Sequence, residues 1–207
     1  MMEELIGRYP QLKSCEKEIA EAIAMMLETY RRGGTILVCG NGGSAADADH
    51  IVGELMKGFL LKRPMDDGDA KKFKETMGDE ADDLVKKLQR GIPAISLPAQ
   101  SAVLSAFAND VDADLVYAQL VFGYGRPGDL LIGLSTSGNS KNVVAAVQTA
   151  KAMGIKTLSL TGAKESKLSQ WSDCAIRVPE TETYRVQELH LPVYHELCAA
   201  VEAELFH

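Results

Sequence analysis

The chain has no cysteine pair at C-x-x-C or zinc-ribbon spacing. Its four cysteines, Cys15, Cys39, Cys174 and Cys198, stand far apart, which argues against a thiol metal knuckle. Three of them lie in apolar segments, where a thiol is an ordinary small buried hydrophobe. No apolar run approaches the roughly 18 residues that a membrane span needs. The segment from Met1 to Tyr30 is amphipathic and laced with Glu and Lys, without the apolar core of a secretory signal. Unpaired cysteines and no export signal together predict a cytoplasmic protein with no membrane partner. Positive charge is also scarce: 22 Lys and Arg stand against 29 Asp and Glu, for a net charge of −7. Broad nucleic-acid binding needs many Lys and Arg contacts to phosphate and is not expected. A small anion is still permitted, because local N–H groups and hydroxyls bind one phosphate whatever the global charge. There is no G-x-G-x-x-G, no Walker lysine, no H-E-x-x-H, no internal repeat and no low-complexity linker, so no nucleotide cofactor is expected.

What is present is the composition of one soluble domain: 207 residues, 46% hydrophobic and 25% charged, enough for a substantial core spanning 1–207. Apolar residues at Leu5, Leu12, Ile19, Ile23, Met26 and Leu27 predict helix as far as Arg32, stopped by Gly33-Gly34. Short apolar runs at 35–39, 94–97, 129–134, 155–161 and 174–178 predict five buried strands, and helical periodicity fills the stretches after them. The last helix, 183–206, contains Pro192, which should kink it or cost it a hydrogen bond. Strands alternating with helices predict an α/β fold, a parallel sheet with helices on both faces, and place ligands beyond the carboxyl ends of the strands. Residues 66–91 interrupt this pattern with interleaved Lys, Asp and Glu and a thin stripe of Leu84, Val85 and Leu88. They predict a solvent-exposed helical insertion, either a solvated decoration or a cover over a site or an interface.

Two loops fall at the predicted ligand edge. Ser135-Thr136-Ser137-Gly138-Asn139-Ser140 puts four hydroxyls and a glycine between a strand and a helix N-terminus, where free N–H groups and the macrodipole favour an anion. One Ser or Asn would suffice for an ordinary N-cap, so four hydroxyls point to phosphate. Gly40-Asn41-Gly42-Gly43-Ser44 is weak alone; beside the serine loop it suggests a closed pocket for a small phosphorylated ligand. On the following helix, His50 and Glu54 are four residues apart and share a face, as a metal pair, a proton-sharing pair or a plain surface pair. On the last helix, Gln187 and His195 lie roughly 80° apart, while His190 points about 140° away from His195. Periodicity does not choose between the two histidines.

These four motifs, with Arg185-Val186-Gln187-Glu188-Leu189-His190 as the last, resemble the phosphoheptose isomerases of the sugar isomerase (SIS) domain family over nearly the whole chain except 66–91. The resemblance implies a single SIS domain with a five-stranded parallel sheet in a Rossmann-like three-layer sandwich. It also implies a homotetramer with sites between subunits, packed through the N-terminal and long C-terminal helices. By the same resemblance the activity is isomerisation of sedoheptulose 7-phosphate to D-glycero-D-manno-heptose 7-phosphate, with Glu54 as base and His195 as its acid/base partner. Asn41, Gly42, Ser44, Asp110, Ser135, Thr136, Ser137, Ser140 and Gln187 correspond to substrate-binding positions. His50, Glu54, Gln187 and His195 correspond to a zinc set found in some members. Tyr184 departs from the aspartate that some members carry three residues before the glutamine. Two further readings compete. A non-catalytic SIS protein, regulator or replication-initiator-binding scaffold, is expected to lack the Glu54 and His195 pair. A zinc hydrolase would need a base beyond the ligands.

Overall fold

The apolar runs pair into one parallel sheet because each is hydrophobic on both faces and finds cover only between two helical layers. The computed structural model describes Met1–His207. Its strands are β1 (Ile36–Gly40), β2 (Ala94–Ser96), β3 (Leu130–Leu134), β4 (Lys156–Thr161) and β5 (Cys174–Arg177), in the order β2-β1-β3-β4-β5. Val38 is in register with Ser96 on one side and with Ile132 on the other.

The helices are α1 (Met2–Arg8), α2 (Glu16–Arg31), α3 (Gly43–Met56), α4 (Asp67–Met77), α5 (Ala81–Lys87), α6 (Ser101–Phe107), α7 (Val116–Tyr124), α8 (Lys141–Ala152), α9 (Lys167–Trp171) and α10 (Thr183–Leu205). Alternation along the strands splits the core in two. Ile36, Val38, Ile132 and Leu158 pack with α2, α3 and α10 through residues such as Ile19, Ile51 and Val193. Leu37, Cys39 and Leu131 pack with α7 and α8 through Tyr117, Val121, Val143 and Val147. This is the predicted three-layer arrangement. No helix is long and apolar enough to cross a membrane.

Two expectations are refined. The N-terminal helix is not continuous to Arg32: a 3₁₀ turn over Pro10–Cys15 separates α1 from α2. Pro10 stands at the first position of that turn, where its missing N–H costs nothing, but it cannot continue α1. Conversely, α10 runs uninterrupted through Pro192. Pro192 is buried there, and packing outweighs the one backbone bond that the proline cannot donate.

The charged segment is helical and exposed, as predicted: α4 and α5 flank a short 3₁₀ turn, and Ala81 is their only buried residue. A bridge between Pro64 and Gln89 closes its base. Arg63, just before it, is fully buried. Its guanidinium donates to Glu202 Oε1 at 2.7 Å and to the carbonyls of Leu55 (2.7 Å) and Glu54 (3.1 Å). Glu202 also accepts the N–H groups of Phe59, Leu60 and Leu61 at 2.8, 2.6 and 3.0 Å. The end of α3 and the loop after it are thus tied to α10.

Candidate active site

Strand order reverses between β1 and β3, since β1 connects to α3 on one face and β3 to α8 on the other. A crevice opens at such a switch point, beyond the carboxyl ends of the two strands, and both loops singled out above emerge there. Asn41 and Asn142 tie them together, each amide donating to the other's carbonyl oxygen at 2.8 and 2.9 Å. The Tyr117 hydroxyl donates to the Gly40 carbonyl at 2.6 Å and braces the glycine loop.

Gly43 lies directly under the Gln187 amide: a Cβ there would meet Gln187 Nε2 and turn the flexible glutamine aside. The Gln187 side chain therefore rests on the glycine loop. Gly138 gives the serine loop its left-handed turn at φ 65°. Ser140 occupies the N-cap of α8, yet no side chain makes the cap bond; its hydroxyl instead meets Ser135 Oγ at 3.0 Å. The loop hydroxyls are thus not consumed in capping; of the first N–H groups of α8, that of Val143 donates to Asn142 Oδ1 at 3.0 Å. On the outer side, Thr136, Ser137, Asn139, Gly162 and Lys164 line a cavity of about 230 Å³.

The acid–base candidates gather elsewhere. Asp47, His50 and Glu54 lie on one face of α3, and Tyr194 and His195 meet them from α10. His50 Nε2 is 3.3 Å from Glu54 Oε1, and the other Glu54 oxygen accepts from Lys57 Nζ at 2.5 Å. The rings of His50 and His195 are 5.0 Å apart, centroid to centroid, in an edge arrangement. Phe59 packs on His195 at 5.5 Å. His195 Nε2 is buried with no hydrogen-bond partner. Burial, with His50 beside it, holds His195 below the ordinary imidazole range against the opposing pull of Glu54, so at neutral pH it is an uncharged donor–acceptor.

One copy of the chain does not bring this cluster to the glycine and serine loops. Glu54 stands eleven residues along α3 from Gly43, about 16 Å at 1.5 Å per residue. Gln187 and His195 are similarly separated by about 12 Å along α10. The four residues matched to a zinc set therefore do not surround one ion within a single copy, and no three His, Cys, Asp or Glu side chains are gathered tightly enough to hold a metal. The donor chemistry, two imidazoles, a carboxylate and an amide, is still that of nitrogen–oxygen zinc ligation. Asp110 lies on an exposed π-helical turn, bonded to Asn109 at 2.8 Å. That segment follows the same sheet edge, for Asp114 pairs with Lys141 of α8 at 3.1 Å, but Asp110 makes no hydrogen bond or ion pair to the other candidates. His190 is wholly buried, away from the cluster.

Sequence reasoning missed Asp47, Lys57, Asn142 and Tyr194. Asp47 had a usable signal, three residues before His50 and on the same helical face. Tyr194 had none, since an aromatic in an apolar helix reads as core.

A family model described as SIS domain matches residues 102–195, and a second SIS domain model matches 11–72. The chain is 36% identical over 195 residues to a phosphoheptose isomerase of Rhodospirillum rubrum, covering 94% of this chain and 90% of that one. It is 38% identical over 196 residues to one from Helicobacter pylori, covering 95% and 88%. Among solved structures, a phosphoheptose isomerase from Francisella tularensis superposes with a TM-score of 0.78 at 27% identity, covering 95% of this chain and 91% of that one.

Proposed function

Because the chain belongs to the phosphoheptose isomerases of the SIS domain family, and is a phosphosugar isomerase, we propose that it interconverts sedoheptulose 7-phosphate and D-glycero-D-manno-heptose 7-phosphate through an enediol(ate). The observation that carries this is the pairing of a carboxylate and a neutral imidazole, Glu54 and His195, around His50, in a chain whose loop hydroxyls are not taken up in capping the helix they precede. In this reading Glu54 removes the proton from C1 of the ketose and returns it to C2, while His195 moves the hydroxyl proton between O2 and O1. Ser135, Thr136, Ser137 and Ser140 receive the phosphate with the first N–H groups of α8. Asn41, Gly42, Ser44, Asp110 and Gln187 contact the sugar.

The distances along α3 and α10 favour a site completed between copies: the phosphate loops and Gln187 from one, Glu54, His50 and His195 from another. An exposed apolar face supports self-association, to a tetramer in this proposal. Helix α6 has no buried residue, and Val111 and Phe122 beyond it are 64% and 67% exposed. If zinc binds, His50, Glu54 and His195 of one copy, which are not gathered around one ion here, would have to draw together with Gln187 of the next to hold it. It would supply polarisation of the carbonyl and of the developing enediolate charge. The direct test is Glu54→Gln, which keeps the side chain's size and removes the base. The turnover number should fall by about 10²–10⁴-fold, the usual worth of a general base; unchanged turnover would remove Glu54 from the chemistry.

A further inference from the structure

Tyr194 joins α10 to α3 through one hydroxyl with two partners: Asp47 Oδ1 at 3.1 Å and His50 Nδ1 at 3.1 Å. A phenol has one proton to give. An ionised carboxylate only accepts, so the proton goes to Asp47, whose second oxygen is buried and unpartnered. The phenol oxygen is then an acceptor toward His50, and Nδ1 of His50 carries the ring hydrogen. In the neutral ring this leaves the lone pair on Nε2, which faces Glu54 Oε1 at 3.3 Å. Without the tyrosine oxygen, Glu54 would be the acceptor within reach. The ring would then take the other tautomer and bind the carboxylate through Nε2–H.

We propose that Asp47 and Tyr194 are positioning residues that lock His50 as its Nδ1–H tautomer, keeping the Nε2 lone pair toward Glu54 and sparing the carboxylate a hydrogen bond from neutral histidine. Partners of this outer kind commonly fix the tautomer and orientation of a functional imidazole. Tyr194 is 1% exposed, and Tyr194→Phe preserves its packed ring. The role in catalysis rests on Glu54 being the base; the tautomer does not.

The experiment is nitrogen–proton correlation NMR of the ¹⁵N-histidine-labelled, chelator-treated protein, at a pH well above the ordinary imidazole range. His50 should show a protonated Nδ1 in the parent. Tyr194→Phe should move the proton to Nε2. Asp47→Asn should do the same, because the amide donates to the phenol oxygen and turns the hydroxyl proton toward Nδ1. Both variants should lose about 10- to 100-fold in kcat with KM changed less than about twofold; Tyr194→Phe should also lower the melting temperature, because it removes the one hydrogen bond that Asp47 accepts. An Nε2–H tautomer in the parent, an unchanged tautomer in both variants, or full kcat in both would overturn the proposal. Failure of Glu54 as base would appear separately, as activity retained in Glu54→Gln with the parental tautomer intact.

Discussion

His190 is enclosed by the α10 side of the core with no well-formed hydrogen bond at either ring nitrogen, and burial, against a weaker opposing pull from the Thr161 backbone, drives its pKa from 6.5 down to about 4. The unfolded chain therefore takes up a proton between those values that the folded protein refuses, and stability falls as the pH drops from about 6.5 toward 4. The full effect is about 3 kcal/mol at 1.36 kcal/mol per pKa unit. Thermal melts at pH 7 and pH 5 should show about 2 kcal/mol of this loss, and His190→Gln should flatten that part of the pH dependence; an equal slope in both proteins would contradict it. Two histidines on one helix looked alike as letters. What separates them is that His195 has a carboxylate and a second imidazole for neighbours, which come from α3 and are set by tertiary packing. Tyr194 and Arg63 were illegible for the same reason, since their roles depend on partners 147 and 139 positions away. His50 and Glu54 were legible because the helix repeat alone places them together.

At the scale of elements, the two loops and the latch after α3 carry distinct predictions. The serine loop was readable because four hydroxyls before a helix exceed what capping requires, and the structure leaves them uncapped. Ser135→Ala with Ser137→Ala should raise KM for a phosphorylated substrate by about 10-fold or more, at about 1 kcal/mol or more per lost hydrogen bond to a charged group, with a smaller change in kcat. Unchanged KM would remove the loop from phosphate binding. The latch is structural. Burial alone would raise the Glu202 carboxyl, but three backbone N–H groups and Arg63 outweigh it and hold the group below the ordinary carboxylate range. Its stabilisation is complete above the unfolded glutamate value and is lost as the pH falls through the lowered folded one. Arg63→Met leaves a buried carboxylate unpaired and should cost about 3–5 kcal/mol in denaturant unfolding; a cost below about 1 kcal/mol would show that the loop is held by other contacts. Strand positions were predictable to within a residue or two, because continuous apolar runs leave few alternatives. The break at Pro10 and the continuity at Pro192 were not, as one proline meets a free turn and the other a packed helix.

For the whole molecule, the sheet order places the glycine and serine loops at the switch point, while the His50, Glu54 and His195 cluster lies farther along α3 and α10. The sequence placed the two loops at one pocket and, by resemblance, implied sites between subunits; the separation of about 16 Å along α3 follows from helix rise. A site shared by two copies reconciles the two. Mixing Glu54→Gln chains with chains carrying Ser135→Ala and Ser137→Ala, after reversible dissociation and assayed well below the parental KM, should give about a quarter of sites with parental activity if subunits of a symmetric oligomer combine at random. No recovery on mixing would confine the site to one copy. Light scattering should find an oligomer, and Phe122→Glu on the exposed face should dissociate it; a monomer in the parent would contradict the account. The most direct test of the central claim is proton NMR of the protein with sedoheptulose 7-phosphate in D₂O. The account predicts an aldose anomeric signal with solvent deuterium entering beside the carbonyl, both lost in Glu54→Gln. A substrate spectrum unchanged at high enzyme concentration would contradict it.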